Sequence, residues 1–279
     1  MRRLALLPLL WLMLFFAAPF AIVAVVSLAS QAPDSIPPLR LELSLSNYLA
    51  LFGDSLYLAA WLNSLYIAAV GTLITLLIGY PMALAIARSP RRSQPFLLLL
   101  VILPFWTSFL IRIYAWMGLL SENGLLNSLL RTFGFPVEGS IIGTVWAIWL
   151  GITYAYLPFM VLPLYASLEK HDAALLEAAA DLGARPLRAF LHITLPLSIP
   201  GIVAGCLLVF IPSVGEFIIP DLLGGTETLM IGKVLWDEFF ANADWPLASA
   251  VAAAMLFLLV APMILLQRAD IATTSRSSR

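Results

Sequence analysis

Reactive and metal-binding side chains are almost missing from this chain. It has one cysteine, Cys206, and two histidines, His171 and His192. A lone thiol excludes an intrachain disulfide and any cluster built on thiolates, and its apolar surroundings fit inert packing. Both histidines fall in one polar stretch, apart from the carboxylates of the apolar runs, so a buried metal centre or a Ser-His pair lacks its parts. Neither HExxH nor GxSxG occurs, which leaves an intramembrane hydrolase without support. GxxxxGK[ST] is also absent, so the chain offers no loop for cradling a nucleotide. Charge is thin as well: 15 Lys and Arg with 16 Asp and Glu make up 11% of the residues, against about 25% in an ordinary soluble domain.

What fills the space is hydrocarbon. Hydrophobic residues make up 62% of the chain and the mean hydropathy is +0.98, the composition of an integral membrane protein. Crossing a bilayer takes roughly 20 apolar residues, and a backbone in lipid must satisfy its own polar groups, so long apolar runs imply helices. Six runs qualify: 4–30, 61–87, 95–119, 141–165, 197–219 and 247–266. Arg2 and Arg3 before the first run, with Ser27-Leu28-Ala29 after it, resemble a signal peptide. Its apolar core reaches Val26, longer than a signal sequence needs, and we read it as the first helix. The expectation is an all-α membrane protein, one transmembrane domain over 1–279 with a polar loop at 168–196.

Basic residues orient such a chain, because they stay on the cytoplasmic side. With both termini inside, the cytoplasm receives Arg2, Arg3, Arg88, Arg91, Arg92, Lys170, Arg185, Arg188, Arg268, Arg276 and Arg279, and the outside only Arg40, Arg131 and Lys233. The polar loop is then cytoplasmic. Within it, Asp172 suits the N-cap of a helix through Leu182, Gly183 suits a left-handed stop, and Pro186 suits the first turn of a second helix. Ala174, Leu175, Ala178 and Leu182 form a stripe of small and apolar residues, flanked by Glu177 and Asp181 one turn apart. Helices that lie on membranes usually carry Lys and Arg on their polar face. This one is acidic, which favours docking into a protein groove.

Glu177-Ala178-Ala179, then Gly183 after three intervening residues, Ile193 after nine more, and Leu195-Pro196 together resemble the EAA signature of permease subunits of ABC importers. The stretches LPFWTSFLIRIYAWMGLLSENGLLN (103–127), AYLPFMVLPLYASLEK (155–170), VFIPSVGEFIIPDLLGG (209–225) and DWPLASA (244–250) extend the likeness over nearly the whole chain. They resemble polyamine importer permeases, those for putrescine first and those for spermidine and putrescine next. The resemblance implies a type I ABC importer permease fold of six transmembrane helices with a cytoplasmic coupling helix. Its docking residues would be Leu175, Glu177, Ala178, Ala179, Asp181 and Gly183. It also implies a multi-pass inner-membrane location and four kinds of partner: a second homologous permease, two cytoplasmic ATPase subunits, a periplasmic polyamine-binding protein and membrane lipid. No nucleic acid is expected. The chain would hold no cofactor, since ATP-Mg belongs to the ATPase subunits, and would not be an enzyme. Cargo is less determined, because the loop reports the motor: spermidine, iron(III) or a small anion remain alternatives to putrescine, and a non-transporting scaffold is a distant one.

Two ionisable residues fall inside apolar runs, Arg112 and Glu216, and intramembrane charges are functional candidates by default. On unbroken helices they would lie about 26 Å and about 29 Å from the inner ends. At such similar depths they either pair with each other, line the pathway, or snorkel outward. A cation's path favours carboxylates and ring faces. Glu216 and Asp221 supply the first, and Tyr114, Trp116, Trp106, Tyr154 and Tyr156 could supply the second. Outside the membrane, ten acids face three bases. Pro200, Gly201, Gly205, Pro212, Gly215 and Pro220 punctuate the fifth run, which invites either a bending element or simply close helix packing.

Overall fold

The computed structural model describes residues 8–134 and 139–260, in two compact units: Met1–Leu62 with Ile231–Arg279, and Asn63–Met230. Positions 4–7 of the first expected span and 261–266 of the last lie outside the described residues.

In the first unit, α1 (Pro8–Val26) is apolar on every side and has no buried residue. A helix of this kind is suited to lipid rather than water. A polar segment follows, where β1 (Ser30–Gln31) pairs antiparallel with β2 (Leu39–Arg40). Asn47, in α2 (Ser46–Gly53), donates to the carbonyls of Ser27 and Ala29 at 2.9 and 2.8 Å and so ties this segment to the end of α1. α3 (Ser55–Arg88) starts here and continues into the second unit. α12 (Ile231–Trp236) passes into a π-helical turn, Asp237–Ala241, and α13 (Trp245–Val260) starts where Asp244 accepts from the Leu247 amide at 3.0 Å.

The second unit is organised around α7 (Val145–Leu168), buried along much of its length. Its first half packs with Ile67, Ile113, Leu120, Ile219 and Leu223, and its second half with Tyr80, Ala83, Ile86 and Val209. α10 (Ile199–Val214) lies against α7 so closely that a Cβ on Gly201 would stand 2.9 Å from the Pro163 carbonyl oxygen, and one on Gly205 2.7 Å from Met160 Sδ. Small residues four apart let two helices approach in lipid, where no hydrophobic effect drives them together. At these two positions close packing accounts for the glycines.

Two expected spans are broken. The run 95–119 divides into α4 (Gln94–Ile102), extended by a 3-10 turn Leu103–Trp106, and α5 (Phe109–Leu120) followed by α6 (Leu125–Thr132). The stretches on either side of Thr107-Ser108 meet at 89°. Pro104 opens the turn, Thr107 is extended at φ -97 and ψ 152 and ends it, and Ser108 at ψ 137 stands before the next helix. Around the fifth run, α9 (Pro186–Leu197) meets α10 at 64°, and Gly215 to Phe217 separate α10 from α11 (Ile218–Leu223). Among the described residues, three helices are long and apolar enough to cross a membrane, or up to five if each bent pair is one span, with the shorter apolar helix α13 besides. The similar depths expected for Arg112 and Glu216 rested on unbroken helices, and neither run is unbroken.

Candidate functional site

The polar loop at 168–196 is built by local rules. Asp172 Oδ1 accepts from the Ala174 amide at 3.0 Å and caps α8 (Ala173–Asp181). Gly183 adopts φ +79, its amide donates to Ala180 O at 2.8 Å, and the Ala184 amide donates to Ala179 O at 2.9 Å. This pair of bonds is the Schellman stop that glycine makes easily. Pro186 then opens α9. Ala174, Leu175, Ala178, Glu177 and Asp181 are all exposed, and Leu182 is 89% exposed. Ala179, also in the expected docking set, is buried beside Ala189 and Ile193 of α9, on the side of α8 opposite Glu177 and Asp181. A cleft of about 300 Å³, lined by Arg88, His171, Leu176 and Thr194 among others, lies between α8 and the ends of α3, α7 and α9. The base of the loop is anchored by Tyr80, whose hydroxyl bonds Ser198 Oγ at 2.9 Å at the α9–α10 bend and whose ring stands edge-on to Phe190.

Deeper in the unit are the two ionisable residues, and they do not pair. Glu216 is 8% exposed and lies in the gap between α10 and α11. Its Oε1 accepts from the amides of Ile218 at 3.1 Å and Ile219 at 3.4 Å, which gives α11 a capping carboxylate. Its Oε2 accepts from the Tyr156 hydroxyl. Among the described residues no basic side chain lies within ion-pair distance of it. Arg112, 9% exposed, is surrounded by rings instead: its guanidinium carbon lies 5.0 Å from the Phe105 centroid, 5.6 Å from Phe109 and 5.9 Å from Tyr154. Among the described residues its buried Nε and Nη1 have no hydrogen-bond partner.

Of the other expected pathway residues, Trp116 joins this group by standing edge-on to Tyr154 at 5.4 Å. Tyr114 is 57% exposed on α5, and Asp221 is exposed on α11. Phe105, Phe109 and Phe159 were not among the candidates. Phe109 could have been found, since it stands three residues before Arg112 on one helix. Phe105 lies across the 89° break and Phe159 on a distant helix, where spacing gives no guide. In the first unit Tyr57 donates to Glu238 at 2.8 Å, and Lys233, one of the three expected outer bases, is paired with Asp237 at 2.7 Å.

Residues 76–269 match the family model of the binding-protein-dependent transport system inner membrane component, and the chain belongs to that family. It is a multi-pass inner-membrane transport subunit, a helical permease with the type I ABC importer fold, and not an enzyme. It is 41% identical over 263 residues to the spermidine/putrescine transport system permease protein PotB of Haemophilus influenzae, covering 93% of this chain and 90% of that one. PotB of Escherichia coli (strain K12) gives the same identity, covering 93% and 94%. Among solved structures, a bacterial alginate ABC transporter in complex with an alginate pentasaccharide-bound periplasmic protein superposes with a TM-score of 0.72. That match covers 95% of this chain and 91% of the other at 16% identity, a likeness of fold.

Proposed function

We propose that this chain is one of two homologous permease subunits of an ATP-driven importer that passes a polyamine, putrescine or spermidine, from a periplasmic binding protein into the cytoplasm. The observation that carries the reading is the 41% identity to spermidine/putrescine permeases along 93% of the chain. In this reading the chain spans the membrane six times with both termini inside. α8 seats in a cleft of one of two cytoplasmic ATPase subunits, which bind ATP-Mg. Leu175, Ala178 and Leu182 enter the cleft, and Glu177 and Asp181 meet basic groups at its rim. Two features of the geometry support this assignment. The capped, exposed and acidic α8 has the chemistry of a protein-docking helix. Glu216 is a buried carboxylate with no basic side chain in ion-pair distance among the described residues, which leaves its charge to attract an amine.

The test is ATPase activity of the reconstituted complex with its binding protein, titrated in turn with putrescine, spermidine, iron(III) and a small anion. Stimulation by putrescine or spermidine alone is the expected result. Stimulation by another ligand keeps the importer and discards the polyamine.

A further inference from the structure

A buried arginine ordinarily spends its five N–H groups on acceptors, because a guanidinium stripped of water and left without partners is costly. Arg112 does otherwise. Its Nε and Nη1 are enclosed without an acceptor, and what surrounds the charge is a cage of three aromatic rings at centroid distances of 5.0, 5.6 and 5.9 Å. Such a cage attracts cations through the ring quadrupoles, and an alkylammonium can take the place of a guanidinium there. Such an arginine is also exchangeable, since among the described residues no hydrogen bond at Nε or Nη1 must break for it to leave.

The cage sits at the 89° break, with Phe105 before Thr107-Ser108 and Phe109 after them. Rings continue from it toward the buried carboxylate. Phe105 stands edge-on to Phe159 at 5.3 Å, Phe159 lies 6.2 Å from Tyr156, and the Tyr156 hydroxyl bonds Glu216. A flexible chain with a cation at each end would thus find ring faces at one point and a carboxylate at another, joined by apolar surface.

We propose that Phe105, Phe109 and Tyr154 form a subsite for a primary alkylammonium group, and that Arg112 occupies it as a stand-in when no substrate is present. The inference rests on the polyamine reading and adds to it a place in the membrane where the cargo is held and a residue it must displace. Removing the tenant exposes the cage; removing a ring after the tenant has gone weakens the cage for the substrate itself.

The complex of full-length subunits in lipid nanodiscs is labelled with phenylglyoxal, and modification of Arg112 is read by peptide mass spectrometry with putrescine or with 1,4-butanediol, its uncharged counterpart. Putrescine is expected to raise labelling of Arg112 and butanediol to leave it unchanged; unchanged or reduced labelling with putrescine overturns the proposal. As a second arm, Phe109→Leu in an Arg112→Gln background should raise the putrescine concentration for half-maximal uptake about fivefold, the effect of losing one ring face from a desolvated cation. An unaltered concentration means that the rings serve only Arg112. The two readings fail separately. ATPase stimulation by putrescine without added labelling retains the cargo and discards the cage, whereas added labelling without stimulation retains a cage for amines and discards the cargo.

Discussion

α8 presents its charges to water, whereas Arg112 and Glu216 keep theirs almost entirely inside, 9% and 8% exposed. Each arrangement fixes what the charge can do. Glu177 and Asp181 are solvated, so they cost the fold little, and the docking proposed for α8 would find them exposed. A charge enclosed among helices must be satisfied from within, and here the two solutions differ. Glu216 has three donors, two of them the amides that start α11. Arg112 has ring faces and two nitrogens left over. Solvated charge suits a surface that meets a separate motor; enclosed charge suits a site that must distinguish one small ion from another.

The largest effect we expect sharpens this contrast at α8. Gly183→Pro forces φ from +79 to the proline value and removes the amide that donates to Ala180, a local cost of about 3 kcal/mol or more. Nothing lies within 4 Å of the Cβ position, so the damage stays within the loop. The variant complex should still bind its loaded binding protein while ATPase stimulation falls by roughly tenfold or more. Glu177→Lys, which reverses an exposed charge, should act in the same direction. Stimulation at the unmodified level in both variants removes this surface from the docking interface.

Glu216→Gln tests the enclosed side of the comparison. Glutamine keeps an oxygen for the Ile218 and Ile219 amides and an amide group that can bond the Tyr156 oxygen, so it removes charge and spares the cap. Uptake of polyamine should fall roughly tenfold, equivalent to about 1.4 kcal/mol, with protein abundance held. Tyr156→Phe is the complement. It leaves a buried carboxylate oxygen without its donor, at about 1.5–3 kcal/mol, so abundance should fall with uptake. If Glu216→Gln lowers abundance in parallel as well, the carboxylate serves the fold and not the cargo.

How far the sequence could be read follows the same division. Asp172, Gly183 and Pro186 lie within fifteen residues and act through backbone bonds a few positions away, so their types and spacing specify the loop. Tyr156 meets Glu216 across 60 residues, and Phe105 meets Arg112 only because the chain turns 89° between them. Counting 1.5 Å per residue along an unbroken helix fails at such a turn, which is why an Arg112–Glu216 pair was a reasonable expectation and does not occur. Gly201 and Gly205 are intermediate: four-residue spacing suggests close packing, and the partner, α7, is visible only in three dimensions. Gly201→Ala sets a Cβ 2.9 Å from the Pro163 carbonyl oxygen and should cost about 1–3 kcal/mol. It should be read as a lower Tm of the purified complex, and an unchanged Tm means that α10 can shift away from α7.

The smallest effect separates α8 as a rigid plug from α8 as a mere carrier of charge. Asp172→Ala removes the side chain that accepts from the Ala174 amide, at about 1 kcal/mol. The first turn of α8 then frays, while Glu177 and Asp181 stay exposed and chemically unchanged. If the motor must push on a preformed helix, part of its binding free energy goes into ordering that turn, and stimulated ATPase activity should fall about threefold, less than the cap's full value because docking re-forms the helix. Asp172→Asn keeps an acceptor in the same place and should restore activity. An Asp172→Ala complex as active as the unmodified one means that α8 orders only on docking, and that its charges, not its rigidity, make the connection.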